Sequence, residues 1–423
     1  MAWKSTRAAP VRRVAVVAYH SSPLDSPGAG DAGGMSVYVR EVAAAHSYSG
    51  VHTDIFTRSS SGSGVQSLCE GVRVISIDAG PREPIPKEGL PRYIPEFTAG
   101  VKAFSAMQRI AYDVVHSHYW QSGLAALPLR ATWSVPLVHS QHTLALVKNR
   151  YLAPRDRPDP QARIDGERRV LESADVLIAS TDDEWQQLSC LYGAAHDRLK
   201  TLHPGVNHRV FRPGDRTAAR KRLNLDSEGA VLLWVGRIQP LKGLEVALRA
   251  VADLARLRAG DVTLLIVGGP SGPSGERELE RLLDLRAELR LENEVRFLGP
   301  QAHSRLPDFY NAADALVVCS RSESFGLSAL EAHACGLPVV ATAVGGLAHV
   351  VHNGLSGWLI QEARPSTFAA KLENLLTDHA LRRSFSDAAV ASARRFSWNR
   401  TADELMDLYT CLVESRAPEV CTC

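Results

Sequence analysis

Short apolar runs alternate with longer amphipathic stretches along the whole of this chain. In the first half the runs are Val14-Ala-Val-Val-Ala18, Asp54-Ile-Phe-Thr57, Val72-Arg-Val-Ile-Ser76, Asp113-Val-Val-His116, Pro136-Leu-Val-His139 and Asp175-Val-Leu-Ile-Ala179. In the second half they are Val231-Leu-Leu-Trp-Val235, Val262-Thr-Leu-Leu-Ile-Val267, Val295-Arg-Phe-Leu298, Ala315-Leu-Val-Val318 and Pro338-Val-Val-Ala341. The runs are almost continuously apolar, as strands covered on both faces require. Strands that alternate with helices predict parallel, doubly wound sheets.

The two series are separated by His203-Pro-Gly-Val-Asn-His-Arg-Val-Phe-Arg-Pro213, with a charged helix expected from about Thr217. Proline and glycine at its ends mark a linker. The pattern therefore predicts an α/β protein of two Rossmann-like domains, residues 1–205 and 206–396, with an interdomain cleft. Ligands of such sheets sit at the carboxyl ends of the strands. Residues 397–423 carry an amphipathic helix, Trp398 to Tyr409, expected to cross back to the first domain, and then a tail. Ser59–Gly64 and Arg150–Asp159 are polar and are expected to be loops.

Composition narrows the picture. A chain of 423 residues exceeds the usual single domain, so two domains of about 200 residues are expected. A net charge of +2 argues against nucleic acid or an anionic membrane as partner. No apolar run approaches the ~18 residues of a membrane span, and Met1-Ala-Trp-Lys-Ser-Thr-Arg7 lacks an apolar signal core. Seven cysteines without a framework fit reduced thiols in a cytoplasm. Cys421 and Cys423 read as a frayed tail, since two thiols are too few for a metal site.

Three features carry chemistry. The first is Ser322-Glu-Ser-Phe-Gly-Leu-Ser-Ala-Leu-Glu331, which reads strand, glycine turn, helix, with Glu331 about two turns into the helix. Glu323 and Glu331 can each accept hydrogen bonds from sugar hydroxyls, and a carboxylate suits a ribose diol. The second is the loop after the first strand, from His20 to Gly33 and Gly34, which opens a helix at about Met35 and offers backbone N–H groups to an anion. The third is Gly236-Arg-Ile-Gln-Pro-Leu-Lys242-Gly243, where Arg237 and Lys242 can converge on a diphosphate. A further glycine-rich turn, Gly268–Gly275, ends another strand. Taken singly, each could be an acidic surface, a flexible loop or a solvated cation pair. Together they match the parts of a nucleotide-diphosphate sugar. No P-loop, H-E-x-x-H or G-x-S-x-G pattern occurs, and no compact G-x-G-x-x-G supports a dinucleotide.

At these residues the chain resembles the retaining glycosyltransferases of family 4, which have the GT-B fold. Within them it is most similar to the mycothiol-pathway branch that moves N-acetylglucosamine from UDP-GlcNAc to myo-inositol phosphate. The similarity runs from about Arg13 to Arg395 and is carried by His20-Ser-Ser-Pro-Leu24, Gly30-Asp-Ala-Gly-Gly-Met35, His116-Ser-His-Tyr-Trp120, His142-Thr-Leu-Ala-Leu-Val-Lys-Asn149, Gly236–Lys242 and Ser322–Gly326.

The resemblance implies that Gly33, Gly34 and the helix terminus contact the donor diphosphate, that Arg237 and Lys242 neutralise it, and that Val295–Gln301 holds uracil. It assigns Glu331 to the ribose, Glu323 and His142 to the transferred sugar, and His20 to the donor's surroundings. It assigns Lys87, Tyr119, Thr143 and Arg163 to an acceptor phosphate. Some of these enzymes carry Mg2+ partly on backbone carbonyls, at positions matching Tyr310, Asn311 and Ala313, although no acidic cluster here supports a catalytic metal. A homodimer is implied as well. One departure stands out: Ser36 replaces the asparagine of a Gly-Gly-Met-Asn motif, so contacts to the cyclitol ring must differ. The expected activity is thus GlcNAc transfer to inositol phosphate. The alternative acceptor is 2-deoxystreptamine, from aminoglycoside antibiotic assembly, and the remaining alternative class is a non-catalytic nucleotide-sugar binder.

Overall fold

The structure is a computed structural model of the full chain and describes residues 11–28, 30–153, 156–226, 228–258, 261–272 and 274–416. The N-terminal heptapeptide and the tail cysteines Cys421 and Cys423 lie outside the described residues.

Two sheets organise the molecule. The first contains β1 (Arg13–Val17), β2 (His52–Ser59), β3 (Gly64–Cys69), β4 (Val72–Asp78), β5 (Val114–His118), β6 (Leu137–Ser140), β7 (Val176–Ala179) and β8 (Leu199–Thr201), in the order β3-β4-β2-β1-β5-β6-β7-β8. The second contains β9 (Ala230–Val235), β10 (Val262–Val267), β11 (Val295–Phe297), β12 (Ala315–Val318), β13 (Val339–Thr342) and β14 (Gly357–Ile360), in the order β11-β10-β9-β12-β13-β14. All neighbours run parallel except β3 and β4. Helices cover the faces, which is why Val14, Leu137, Leu232 and Leu264 are fully buried on strands with no polar alternation.

Both strand orders reverse direction beside the first strand of their sheet, between β1 and β5 and between β9 and β12. Such switch points leave a crevice at the strand carboxyl ends. The loops after β1, β5, β9 and β12 carry the motifs at His20, Tyr119, Arg237 and Glu323.

Two stretches of chain run side by side between the sheets, joined by a parallel bridge from Val206 to Ser397. Packing there is close: a Cβ on Gly205 would stand 2.2 Å from the Trp398 nitrogen. Beyond it, the helix Trp398–Glu414 lies against α1 (Gly34–Tyr48), so the last described helix packs on the first sheet. Trp398, Leu405 and Tyr409 are buried there with Val14, Val37 and Ile178. Each such side chain contributes about 1.5–3 kcal/mol, an upper estimate because the unfolded chain is itself partly compact.

Three strands escaped the pattern: β3, β8 and β14. β3 has an exposed face and pairs antiparallel at the sheet edge. The segment Ser59–Gly64 is the short loop between β2 and β3, as expected, whereas Arg150 ends a short helix, Ala145–Arg150. No helix of the described residues is long and apolar enough to cross a membrane.

Candidate active site

A cavity of about 680 Å³ lies between the sheets and is lined from both sides. Of the residues singled out in the sequence, His20, Gly33, Gly34, Lys87, Tyr119, His142, Thr143, Arg163, Arg237, Lys242, Gln301, Glu323 and Glu331 all line it.

One wall forms an anion cradle. Gly33 precedes α1, which opens at Gly34 without a side-chain cap, so its first N–H groups are available to a ligand. The Arg237 guanidinium reaches over from the other domain: a Cβ on Gly33 would stand 3.3 Å from Arg237 Nε. A Cβ on Gly34 would stand 3.1 Å from Leu327 Cδ1, so glycine is what lets the helix terminus approach. The backbones also meet, Gly269 N–H donating to Gly28 O at 3.0 Å.

Glu323 and Lys242 form a pair, Nζ to Oε2 at 2.5 Å, with Ser320 Oγ donating to the same oxygen at 3.3 Å. The carboxylate's loop is fixed from behind: Gly346 N–H donates to Glu323 O at 3.0 Å, and a Cβ on Gly346 would lie 2.2 Å from Phe325 Cα. Ser324 Oγ donates across the cleft to the His142 carbonyl at 2.5 Å. Gly326, at φ +96, turns the chain into the helix Leu327–Ala334. Glu331 therefore sits about one turn into that helix, not two, because the helix starts after the glycine turn. Its Oε1 takes a hydrogen bond from His303 Nε2 at 2.6 Å and its Oε2 one from the Tyr310 hydroxyl at 2.8 Å.

The first domain also brings basic groups to the cavity. Lys87 Nζ lies 3.5 Å from Asp31 Oδ1, and burial lowers its pKa against the opposing pull of Asp31. Arg163 donates to Asp159 at 2.9 Å, to Glu167 at 2.8 Å and to Thr143 Oγ1 at 3.0 Å, and lies 5.1 Å above the Tyr119 ring. Lys148, which also lines the cavity, lies 3.4 Å from Asp159. His20 packs against Tyr119 at 4.5 Å, and burial followed by Lys87 holds it neutral. His142 donates to or accepts from His118 at 2.9 Å and is likewise held well below its ordinary pKa, by burial. Tyr119 and His142 have φ of +75 and +64. Bulky residues in that region are strained, and such strain concentrates at binding sites.

Two of the expected groups stand off the cavity lining. Ser36 does not line the cavity: it is 1% exposed and its hydroxyl pairs with Ser21 Oγ at 2.8 Å. Its partner Ser21 belongs to the loop after β1, whereas Gly34, Met35, Val37 and Tyr38 line the opening. Tyr310, Asn311 and Ala313 also lie off the lining; the Asn311 amide bonds Gly214 N–H, Arg212 O and Pro307 O. Among the described residues no group of three His, Cys, Asp or Glu could hold a metal ion. No step is routed through a metal.

The sequence reading missed Asp159, Glu167, His303 and Tyr310 as partners of the site. Only Arg163 and Glu167 carried a usable signal, their i,i+4 spacing within the helix Gln161–Ser173.

A cleft between two doubly wound domains, lined by an uncapped helix terminus, cations and two carboxylates, is the arrangement of a GT-B glycosyltransferase. Residues 215–391 match the family described as glycosyl transferases group 1, and residues 33–205 the glycosyl transferase 4-like domain. The chain belongs to the group 1 glycosyltransferases. It is 48% identical, over 97% of its length and 92% of the relative's, to a D-inositol 3-phosphate glycosyltransferase of Geodermatophilus obscurus. It is 47% identical to one of Actinosynnema mirum, covering 94% and 97%. Among solved structures, sucrose-phosphate synthase from Thermosynechococcus elongatus superposes with a TM-score of 0.87 at 32% identity, covering 96% of this chain and all of that one. Anabaena HepE in complex with UDP-glucose superposes at 0.74 over 95% of this chain and 100% of its own, and at 19% identity supports the fold alone.

Proposed function

We propose that this enzyme transfers N-acetylglucosamine from UDP-GlcNAc to a hydroxyl of an inositol phosphate, with retention at the anomeric carbon. The observation that carries the reading is that Lys87, Tyr119, Thr143 and Arg163 all line the cavity from the domain of the first sheet, with Arg163 bonded to Thr143 and set over the Tyr119 ring. Two cations and two hydroxyls form a monophosphate pocket. The relatives named D-inositol 3-phosphate glycosyltransferase support the same acceptor.

The donor lies with its diphosphate between the α1 terminus and Arg237 and Lys242, its ribose on Glu331 and its uracil at the Val295–Gln301 edge. Glu323 and His142 take the hydroxyls of the sugar. The acceptor hydroxyl oxygen forms a bond to the anomeric carbon on the face from which the diphosphate departs. The bond to the leaving oxygen breaks with its electron pair, and that oxygen receives the hydroxyl proton. Charge grows on the diphosphate as this happens, so Arg237, Lys242 and the helix terminus act most strongly in the transition state. Closure of the cleft excludes water and so limits hydrolysis of the donor.

A second reading keeps donor and mechanism but takes 2-deoxystreptamine as acceptor. Two observations favour it: Ser36 brings no polar group to the cavity, and Arg163 is already balanced by Asp159 and Glu167. The test is the product formed from UDP-GlcNAc and inositol phosphate, identified by mass and by proton NMR of the new linkage. A retained anomeric configuration on a phosphorylated disaccharide is expected. An inverted linkage, or a product from UDP-glucose alone, would overturn the reading.

A further inference from the structure

Glu331 is held from both sides. A guanidinium can only donate, so the Arg40 Nη2 that lies 3.1 Å from His303 Nδ1 makes that nitrogen an acceptor. The ring is then neutral, and its proton sits on Nε2, aimed at Glu331 Oε1. The ring packs against Phe211, with centroids 5.0 Å apart. Arg40 belongs to α1, the helix whose N-terminus forms the anion cradle, so it reaches His303 from the opposite domain. Arg40 is itself oriented by Glu41 at 3.2 Å, and the other Glu41 oxygen accepts from Asn207 at 3.3 Å, just past the crossing between the sheets.

We propose that His303 is a positioning residue for the donor's ribose and that Arg40 fixes it across the cleft. The ribose carboxylate is then correctly aimed only when the two domains are together. This rests on the nucleotide-sugar reading above.

A carboxylate has about four lone-pair directions. His303 and Tyr310 occupy one on each oxygen, which leaves one on each for a vicinal diol. The terminal torsion of a glutamate is soft, so without His303 the carboxylate is free to rotate away from that orientation. Arg40 acts one step further out by fixing the tautomer, as outer-shell partners do at metal-bound histidines. Helix α1 would thus touch the donor's diphosphate at its terminus and govern its ribose through Arg40.

The test is calorimetric titration of the purified full chain with UDP and with 2′,3′-dideoxy-UDP, which lacks the diol. His303→Ala should weaken UDP binding by about tenfold, the cost of one charge-assisted hydrogen bond, and leave the dideoxy compound almost unchanged. Arg40→Ala should show the same selectivity with a smaller loss. His303→Gln, whose amide can donate from near the Nε2 position, should recover most of the affinity. In turnover, Arg40→Ala should raise the donor KM more than it lowers kcat. Equal losses for both nucleotides would reduce His303 to a packing residue, and unchanged UDP affinity would remove its role; either overturns the proposal. If the unsubstituted chain bound neither nucleotide, the donor reading itself would fail and the proposal with it.

Discussion

Replacing Lys242 with alanine separates catalysis from folding in this enzyme. The lysine and Glu323 meet at 2.5 Å, with side chains 20% and 19% exposed, at the edge of a solvent-filled cleft. On the reading above, Lys242 faces the departing diphosphate. Two unit charges about 4 Å apart at an effective dielectric near 20 interact by about 4 kcal/mol. Arg237 and the helix terminus remain in the variant and absorb part of that loss. The remainder corresponds to a fall in kcat/KM of about 100- to 1000-fold. Stability should change little, because Glu323 keeps Ser320 and gains water. A cost of about 1 kcal/mol would move the unfolding midpoint by about 2–4 °C in a chain of this domain size. The assay is UDP release across a donor titration at saturating acceptor, which gives kcat/KM, paired with a thermal melt. Glu323→Gln serves as the control that leaves the lysine in place. Turnover within about threefold of the unsubstituted enzyme, with an intact melt, would refute the role given to Lys242.

Further outcomes follow from the same geometry. Lys87→Ala should raise the KM for a phosphorylated acceptor by about tenfold and leave the donor KM unchanged, read from paired saturation curves. Gly346→Ala would place a methyl 2.2 Å from Phe325 Cα, so the Glu323 loop must shift; transfer should collapse while the far-ultraviolet spectrum stays native. The fold should lose stability in mild acid. Burial lowers the pKa of His46 and His139 to about 4 and of His333 to about 3, and lowers those of His116 and His118 as well. Below pH ~6.5 the unfolded chain binds protons that these native histidines refuse, so each removes about 1.4 kcal/mol of stability per pH unit as pH falls. Together they make stability fall as pH drops below ~6.5, partly offset by Glu184, whose burial raises its pKa to about 7. Denaturant midpoints that stay flat from pH 7 to pH 5 would contradict this.

Much of this site was legible because the fold writes it at strand ends. Arg237 and Lys242 follow β9, Glu323 follows β12, and the glycines follow β1, so a run of apolar residues points at each motif. What lay beyond reach depended on rotation and on partners. Ser36 is two residues from Gly34, yet its hydroxyl is buried against Ser21 of the loop after β1 and does not line the cavity. Glu331 lies about one turn into its helix rather than two, because the helix begins only at Leu327, after the positive-φ Gly326. His303 and Arg40 lie on different domains, and nothing in either neighbourhood signals the other. β3 escaped because an antiparallel edge strand with an exposed face lacks the apolar run that marked the buried strands. The last helix was legible as amphipathic and as crossing back to the first domain, but that it meets α1 there depends on the crossing at Gly205 and Trp398.

The most direct test of the central claim is UDP release by the purified enzyme with UDP-GlcNAc, offered inositol phosphate and 2-deoxystreptamine in parallel. The account predicts release that depends on inositol phosphate and falls when Lys87 or Lys242 is replaced by alanine. Release with 2-deoxystreptamine alone, or none above hydrolysis with either acceptor, would contradict it.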